Sequence, residues 1–168
     1  KQYLNERDYK KLSELLIRFK DIDMKKLPYA FTHGDIISTN IMKDNNGKLW
    51  IIDFAVSNYL PRIVDLAVSS CNLCLNPENI KETRSKTKMI LKEYEKYNKL
   101  TDYEKEVFAI FCDIANAMGI LQISYLISQG ETSEEDKFWY NESEKGLEFS
   151  DNNFWNGIFE EDEIERKD

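Results

Sequence analysis

Residues 31–54, with the sequence FTHGDIISTNIMKDNNGKLWIIDF, constrain this chain more than any other segment. In its middle, the turn signal DNNG at residues 44–47 is flanked by apolar residues on both sides, which predicts a β-hairpin. Asp35 and Asn40 precede the hairpin, and Asp53 ends it after a short apolar run. The hairpin is therefore expected to bring Asp35, Asn40 and Asp53 close together, although they are far apart in the sequence.

Kinase-type phosphoryl transfer needs this set of groups. One carboxylate orients and deprotonates the attacking hydroxyl, while a second carboxylate and an amide oxygen hold the magnesium ions that neutralise the phosphate oxygens. An isolated His-Gly-Asp is a weak signal, and an isolated Asp-Phe is weaker still. The prediction rests on their conjunction: the spacing from Asp35 to Asn40, the turn, the apolar strand and the terminal Asp53.

These motifs resemble those of the aminoglycoside phosphotransferase and choline kinase superfamily, in which glycine replaces the arginine of the protein-kinase catalytic loop. Within it, the run VDLAV at residues 64–68 looks most like the bacterial homoserine kinases of this fold. The resemblance covers residues 31–68 and implies ATP-dependent phosphorylation of a hydroxyl on a small metabolite. Homoserine is the first choice, followed by an aminoglycoside, choline or a sugar. It implies Asp35 as the catalytic base, Asn40 and Asp53 as Mg²⁺ ligands, and ATP as co-substrate.

Two further residues have supporting roles in this interpretation. His33, the one histidine of the chain, could be read as a general base or a metal ligand. The resemblance implies instead that it supports the catalytic loop, which leaves the base role to Asp35. Asp65 could be read as a third metal ligand. The resemblance, and the usual role of aspartate near a helix start, favour a structural carboxylate that bonds backbone or catalytic-loop groups. Residues 56–59, after Asp53, are a candidate wall of the active site.

Length and composition indicate one globular domain of 168 residues, 42% of them hydrophobic and 12% aromatic. The net charge is -8 and no basic stripe is present, which argues against nucleic acid as a partner. An acidic surface agrees with a cationic or zwitterionic small substrate. No signal peptide and no apolar run long enough to span a membrane were recognised, so no membrane partner and a cytoplasmic location are expected.

The three cysteines are too few and too irregular for a disulfide framework. Cys71 and Cys74 form a CxxC that could indicate a redox or zinc site, but no second CxxC completes it. Their surroundings read as a buried helix, so core packing is the favoured interpretation for these two cysteines.

Helical patterns account for most of the rest of the chain. An amphipathic helix is predicted over residues 1–22, and an extended entry into His33 at residues 30–32. A helix follows Pro61 and ends near Leu75. The next has Pro77 in its first turn and runs to about Lys99. The longest begins with a capping box at Thr101 and Glu104, is apolar on most sides and closes at Gly130. A last short helix is expected over residues 151–158.

The predicted fold is α+β, mostly α: a protein-kinase-like C-terminal lobe over residues 1–159 with a small β-hairpin at the catalytic loop. Residues 160–168 are read as an acidic solvated tail. No P-loop or glycine-rich loop precedes His33, so the N-terminal nucleotide-binding lobe is expected to be absent from this chain. The chain alone is then expected to be inactive.

Other functions remain open at this point. Aromatic residues in the segment 132–149 could form a cage for a quaternary ammonium ligand such as choline, although core packing is the commoner explanation. A non-catalytic, kinase-like ligand-binding module is the main alternative to an enzyme. Metal-dependent hydrolysis would need more His, Asp or Glu ligands in motif spacing than the sequence offers.

Overall fold

The computed structural model describes residues 3–151 and 153–160, with the backbone alone at residues 150 and 151. Apart from Glu160, the predicted acidic tail lies outside the described residues. The elements in chain order are α1 (Glu6–Lys20), β1 (Tyr29–Thr32), β2 (Ile41–Lys43), β3 (Leu49–Ile51), β4 (Asn58–Pro61), α2 (Ile63–Leu73), α3 (Ile80–Glu95), α4 (Asp102–Gln129) and α5 (Glu134–Asp151), with 3₁₀ turns at Met24–Lys26 and Ser38–Asn40. Mostly helical with small antiparallel sheets, the described part confirms the predicted fold class.

Helix α4, predicted as the longest helix, is the centre of the helical part. Thr101 and Glu104 form the capping box at its start, and Gly130 ends it in a left-handed conformation. The helix packs against α1, α2 and α5. Phe108 and Cys112 on α4 are completely buried. This packing explains a helix that is apolar on most sides, because several neighbours each cover a different face.

The sequence-based statement that no apolar run could span a membrane was wrong for α4. By length and composition this helix is apolar enough to cross a bilayer. In this fold its apolar residues pack in the core, since 56% of its most apolar 18-residue window is buried inside the protein. The core helix of a globular domain meets the same criteria as a membrane span.

Two antiparallel strand pairs flank the predicted catalytic loop. The predicted hairpin is β2 and β3, with Met42 opposite Trp50. The pairing of β1 with β4 was not predicted, and it aligns Phe31 with Tyr59 and Thr32 with Asn58. It brings the segment before His33 and the segment before α2 side by side.

The helix predicted over residues 1–22 is observed as Glu6–Lys20, and two other predicted helices differ more from the structure. Pro77 lies in the turn before α3, which begins at Ile80 with the side chain of Asn79 as its N-cap. Asparagine accepts a hydrogen bond from the first turn, so it sets the helix start three residues later than expected. The predicted helix over residues 151–158 is wrong as well: α5 continues to Asp151, and residues 153–159 form turns. The aromatic residues of this segment serve packing, since the Trp155 ring lies 5.6 Å from that of Phe108.

The interpretation of Cys71 and Cys74 as core residues is confirmed, and Cys112 is buried as well. Cys71, Cys74 and Cys112 are all free and buried. Burial raises the pKa of the Cys74 thiol and that of the Cys112 thiol, which keeps both groups neutral.

Candidate active site

Asp35 and Asn40 are in direct contact across the predicted catalytic loop. The Asn40 side-chain nitrogen donates to the Asp35 carboxylate at 2.9 Å and to the Asp35 carbonyl at 3.0 Å. Asn40 is buried at the end of the 3₁₀ turn Ser38–Asn40, directly before β2, and Asp35 is half-buried. The five-residue spacing therefore closes a loop in which an amide orients a carboxylate.

Asp53 is connected to the same loop by a hydrogen bond of Ile52, the residue before it. The backbone N–H of Ile52 donates to the Asn40 carbonyl at 3.0 Å, so the residue before Asp53 extends the hairpin ladder up to Asn40. Asp53 itself is exposed and has a positive φ of 63°, which is uncommon for a residue other than glycine. Such strained backbone concentrates at functional sites. Its carboxylate accepts a hydrogen bond from the Ala55 N–H at 3.3 Å.

His33 has both ring nitrogens engaged inside the loop. Its Nε2 lies 2.9 Å from the Ile52 carbonyl, and its Nδ1 lies 3.2 Å from the backbone nitrogen of Asp35. A carbonyl can only accept and a backbone N–H can only donate, which assigns the neutral tautomer with the proton on Nε2. The ring is 5% exposed. An imidazole in this state supports the loop and has no free nitrogen for a substrate proton.

Asp65 holds the backbone of the loop from the other side. It lies in the first turn of α2, and its two carboxylate oxygens accept from the backbone N–H groups of His33 at 3.0 Å and Gly34 at 2.7 Å. Charge-assisted bonds of this kind are stronger than those between neutral groups. Asp65 thus bonds the backbone of the loop at two points, the kind of contact that a structural carboxylate makes.

Gly34 allows the loop to pass close to the segment after Asp53. Its φ is 81°, and a Cβ at this position would lie 3.2 Å from the carbonyl oxygen of Val56. A larger residue would be strained by the backbone conformation and crowded by that contact. This explains glycine beside the aspartate, and it places Val56, the first residue of the candidate wall at residues 56–59, directly against the loop. Sequence reasoning missed the Phe54 ring, whose centroid lies 4.6 Å from that of His33.

The donor set suits Mg²⁺ better than a metal caged by protein alone. Asn40 uses its side-chain nitrogen on Asp35, which leaves the amide oxygen for other partners, and the Asp53 carboxylate is exposed. Mg²⁺ prefers oxygen ligands and is commonly held by one or two protein groups together with substrate phosphates. Within residues 3–151 and 153–160, no group of three or more His, Cys, Asp or Glu side chains could hold a metal ion.

Two other features do not belong to this site. A cavity of about 240 Å³ lies between α4 and residues 155–160 and is lined by none of the predicted site residues. The aromatic segment expected as a cage or core lies mainly on α5. There Phe149 is buried in the core, Tyr140 donates to Asp8 of α1, and Phe138 is half exposed. Core packing and a tether to α1 account for this segment better than a cage.

Comparison with known protein families identifies the superfamily of this chain. A model of the choline/ethanolamine kinase family matches residues 1–136 of the 168-residue chain. The matched part contains His33, Asp35, Asn40, Asp53 and Asp65. The family match confirms the resemblance to the aminoglycoside phosphotransferase and choline kinase superfamily, whereas closeness to homoserine kinases stays a prediction. No curated protein matched the chain.

Proposed function

Because this chain belongs to the choline/ethanolamine kinase family, we propose that it transfers the terminal phosphoryl group of ATP to the hydroxyl of a small amino alcohol. Members of this family are kinase-like small-molecule phosphotransferases. The contact between the Asp35 carboxylate and the Asn40 amide carries the proposal. In kinase-type transfer a base for the acceptor hydroxyl and an amide ligand of the metal have to be neighbours.

The groups of the site divide the proposed reaction among them, and Asn40 serves both the base and the metal. The acceptor oxygen attacks the γ-phosphorus, the bond from that phosphorus to the β–γ bridging oxygen breaks, and ADP leaves. Asp35 takes the hydroxyl proton, with its carboxylate oriented by Asn40. The Asn40 amide oxygen and the Asp53 carboxylate would hold Mg²⁺, which neutralises the phosphate oxygens. His33 and Asp65 keep the loop in place through their hydrogen bonds.

The choice of an amino alcohol follows from what the candidate acceptors share. Choline and ethanolamine, named in the family description, carry a hydroxyl and a cationic nitrogen. Homoserine, favoured by the VDLAV run, carries both groups as well. The net charge of -8 supports attraction of such cations. An aminoglycoside also carries hydroxyls and cationic nitrogens, but the family description does not name it; a neutral sugar lacks the cationic nitrogen and is the less favoured acceptor.

A separate nucleotide-binding lobe is part of the proposal, because large apolar side chains on and beside the strands are exposed to solvent. Large side chains on and beside β1 to β4 are exposed, among them Phe31 (71%), Leu49 (63%) and Tyr59 (65%). We call the following set the strand surface: Tyr29, Phe31, Met42, Leu49, Trp50, Ile51, Ile52, Phe54, Val56 and Tyr59. Apolar patches of this kind usually mark an interaction site. It adjoins the loop that holds Asp35 and Asn40, where a lobe carrying the nucleotide would have to dock.

The test is a phosphorylation assay on the intact protein, by which we mean this chain together with the proposed nucleotide-binding lobe. The assay contains Mg-ATP and equal concentrations of choline, ethanolamine, homoserine, an aminoglycoside and a sugar. We expect magnesium-dependent transfer to at least one amino alcohol, with a lower kcat/KM for the neutral sugar. Transfer to the sugar alone would contradict the substrate class. Saturable binding of an amino alcohol without transfer to any acceptor would support the non-catalytic binding module instead.

The 168-residue chain alone provides a second arm of this test. The sequence before His33 contains no P-loop or glycine-rich loop to cradle the phosphates, so we expect the chain alone to bind Mg-ATP with a Kd no tighter than about 1 mM. Transfer by the chain alone at rates typical of kinases would refute the requirement for a further lobe.

A further inference from the structure

A buried ion pair joins α4 to the start of α2. Glu104, in the first turn of α4, has a completely buried side chain. Arg62 donates to it twice, from Nε to Oε1 at 2.8 Å and from Nη2 to Oε2 at 2.9 Å. The backbone N–H of Thr101 adds a third bond at 2.8 Å. A buried charge is costly unless it is paired in good geometry, so this fork fixes the position of Arg62 closely.

Arg62 is anchored at two further points. Its Nη2 donates to the Lys99 carbonyl at 2.6 Å, in the connection between α3 and α4. Its own backbone N–H donates to the Pro28 carbonyl at 3.0 Å, just before β1. Arg62 lies between the last residue of β4 and the first residue of α2. One residue thus links the α3–α4 connection, the entry into β1 and the start of α2.

Asp65 follows Arg62 within the first helical turn of α2 and holds the His33 and Gly34 amides. The distance from Arg62 to Asp65 along the chain is set by rigid helix geometry. A shift of Arg62 would therefore move the Asp65 carboxylate away from those amides. Neither hydrogen bond could then keep its present length.

We propose that Glu104 and Arg62 are positioning residues for the catalytic loop: their ion pair fixes the start of α2 so that the Asp65 carboxylate receives the His33 and Gly34 amides. The consequence for catalysis rests on the proposed function, because Asp35 is the residue that follows Gly34. The consequence for the two amides does not depend on any activity.

The first test measures those amides in the 168-residue chain by NMR, through their proton chemical shifts and hydrogen-exchange rates. Glu104→Gln removes the charge, and Arg62→Lys keeps the charge but loses the two-pronged geometry. In both variants we expect the His33 and Gly34 amides to shift upfield and to exchange at least about tenfold faster, the change that corresponds to losing one charge-assisted bond.

A matched control separates positioning from a general loss of stability. Asp113 is another buried carboxylate on α4, and it pairs with Arg18 of α1 at 3.3 Å. Asp113→Asn should lower the melting temperature but leave the shifts of the His33 and Gly34 amides unchanged. The proposal is overturned if those two amides keep their shifts and exchange rates in folded Arg62→Lys, or if they respond equally to Asp113→Asn.

The second test uses the intact protein. We expect Arg62→Lys to lower kcat about tenfold, by the same conversion, while the KM for Mg-ATP stays within about twofold, because the metal ligands are not moved directly. In the double variant with Arg62→Lys and Asp65→Asn, the fold-loss of kcat should be smaller than the product of the two single losses, since both changes act through one set of hydrogen bonds. A fully multiplicative loss would contradict the proposal. If the amides respond but no phosphoryl transfer is seen in the unmodified protein, the positioning role stands and the proposed function fails.

Discussion

Removal of the Asp65 carboxylate should cost the domain a measurable share of its stability. Asp65→Ala takes away the acceptor for the His33 N–H at 3.0 Å and for the Gly34 N–H at 2.7 Å. A hydrogen bond to a charged group contributes about 1.5–3 kcal/mol. Asp65 is half-buried, so the lower value applies to each bond. The free energy of unfolding should therefore fall by about 3 kcal/mol, which corresponds to a melting temperature lower by roughly 6–12 °C for a domain of this size.

Thermal unfolding followed by circular dichroism on the 168-residue chain measures this change. Asp65 also places a negative charge in the first turn of a helix, an effect of about 0.3–1 kcal/mol. Asp102→Asn is the matched control, because Asp102 is an exposed acid in the first turn of α4. Asp65→Asn should fall between the control and Asp65→Ala, since one acceptor oxygen remains. A loss in Asp65→Ala no larger than in Asp102→Asn would refute the assignment of Asp65 as the support of the loop.

Three further changes test the fold around the site. Burial opposes the charge on Glu104, but hydrogen bonds from Arg62 and Thr101 outweigh it and lower its pKa below the ordinary 4.5. The ionised Glu104 therefore contributes stability above about pH 4.5, and this contribution is lost as the pH falls further. The difference in melting temperature between the unmodified chain and Glu104→Gln should shrink over the same range. A constant difference would contradict the pairing. Gly34→Ala should destabilise more than Gly130→Ala, because both have positive φ but only Gly34 has a carbonyl within 3.2 Å of the added Cβ; equal melting temperatures would count against that contact. Phe108→Ala, at a completely buried position, should cost about 3–5 kcal/mol in denaturant unfolding, and a loss under about 1 kcal/mol would show that Phe108 is not in the core.

Local signals in the sequence predicted the parts of the site that are local in the structure. The Asp35–Asn40 contact spans five residues, and the hairpin that leads to Asp53 closes through a short turn. The capping box of α4 likewise depends on residues three apart. In each case the residues that interact are near neighbours, so residue type and spacing carry enough information.

Long-range packing accounts for the parts that the sequence did not predict. Strand β4 contains a proline and begins within the polar segment after Asp53, so its sequence does not indicate a strand. It pairs with β1, where Thr32 lies opposite Asn58, 26 residues later in the chain. The Arg62–Glu104 pair joins residues 42 apart. Sequence reasoning noticed Glu104 only as a cap.

The error in the C-terminal segment has the same origin as these omissions. The aromatic spacing at residues 154–159 imitates a helix, but Trp155 and Phe159 of this segment form no helix and pack against the Phe108 ring. Packing of this kind is decided by the whole fold and leaves no local signature.

The division of roles between Asp35 and Asp53 is the central claim, and steady-state kinetics of the intact protein test it most directly. With Mg-ATP and the best amino-alcohol acceptor, Asp35→Asn should lower kcat by roughly 10²–10⁴-fold and leave the affinity for Mg-ATP nearly unchanged, as expected for loss of a positioned base. Asp53→Ala should abolish magnesium-dependent transfer and also weaken Mg-ATP binding, because it would remove a ligand of the ion. Near-normal turnover in folded Asp35→Asn would contradict the account.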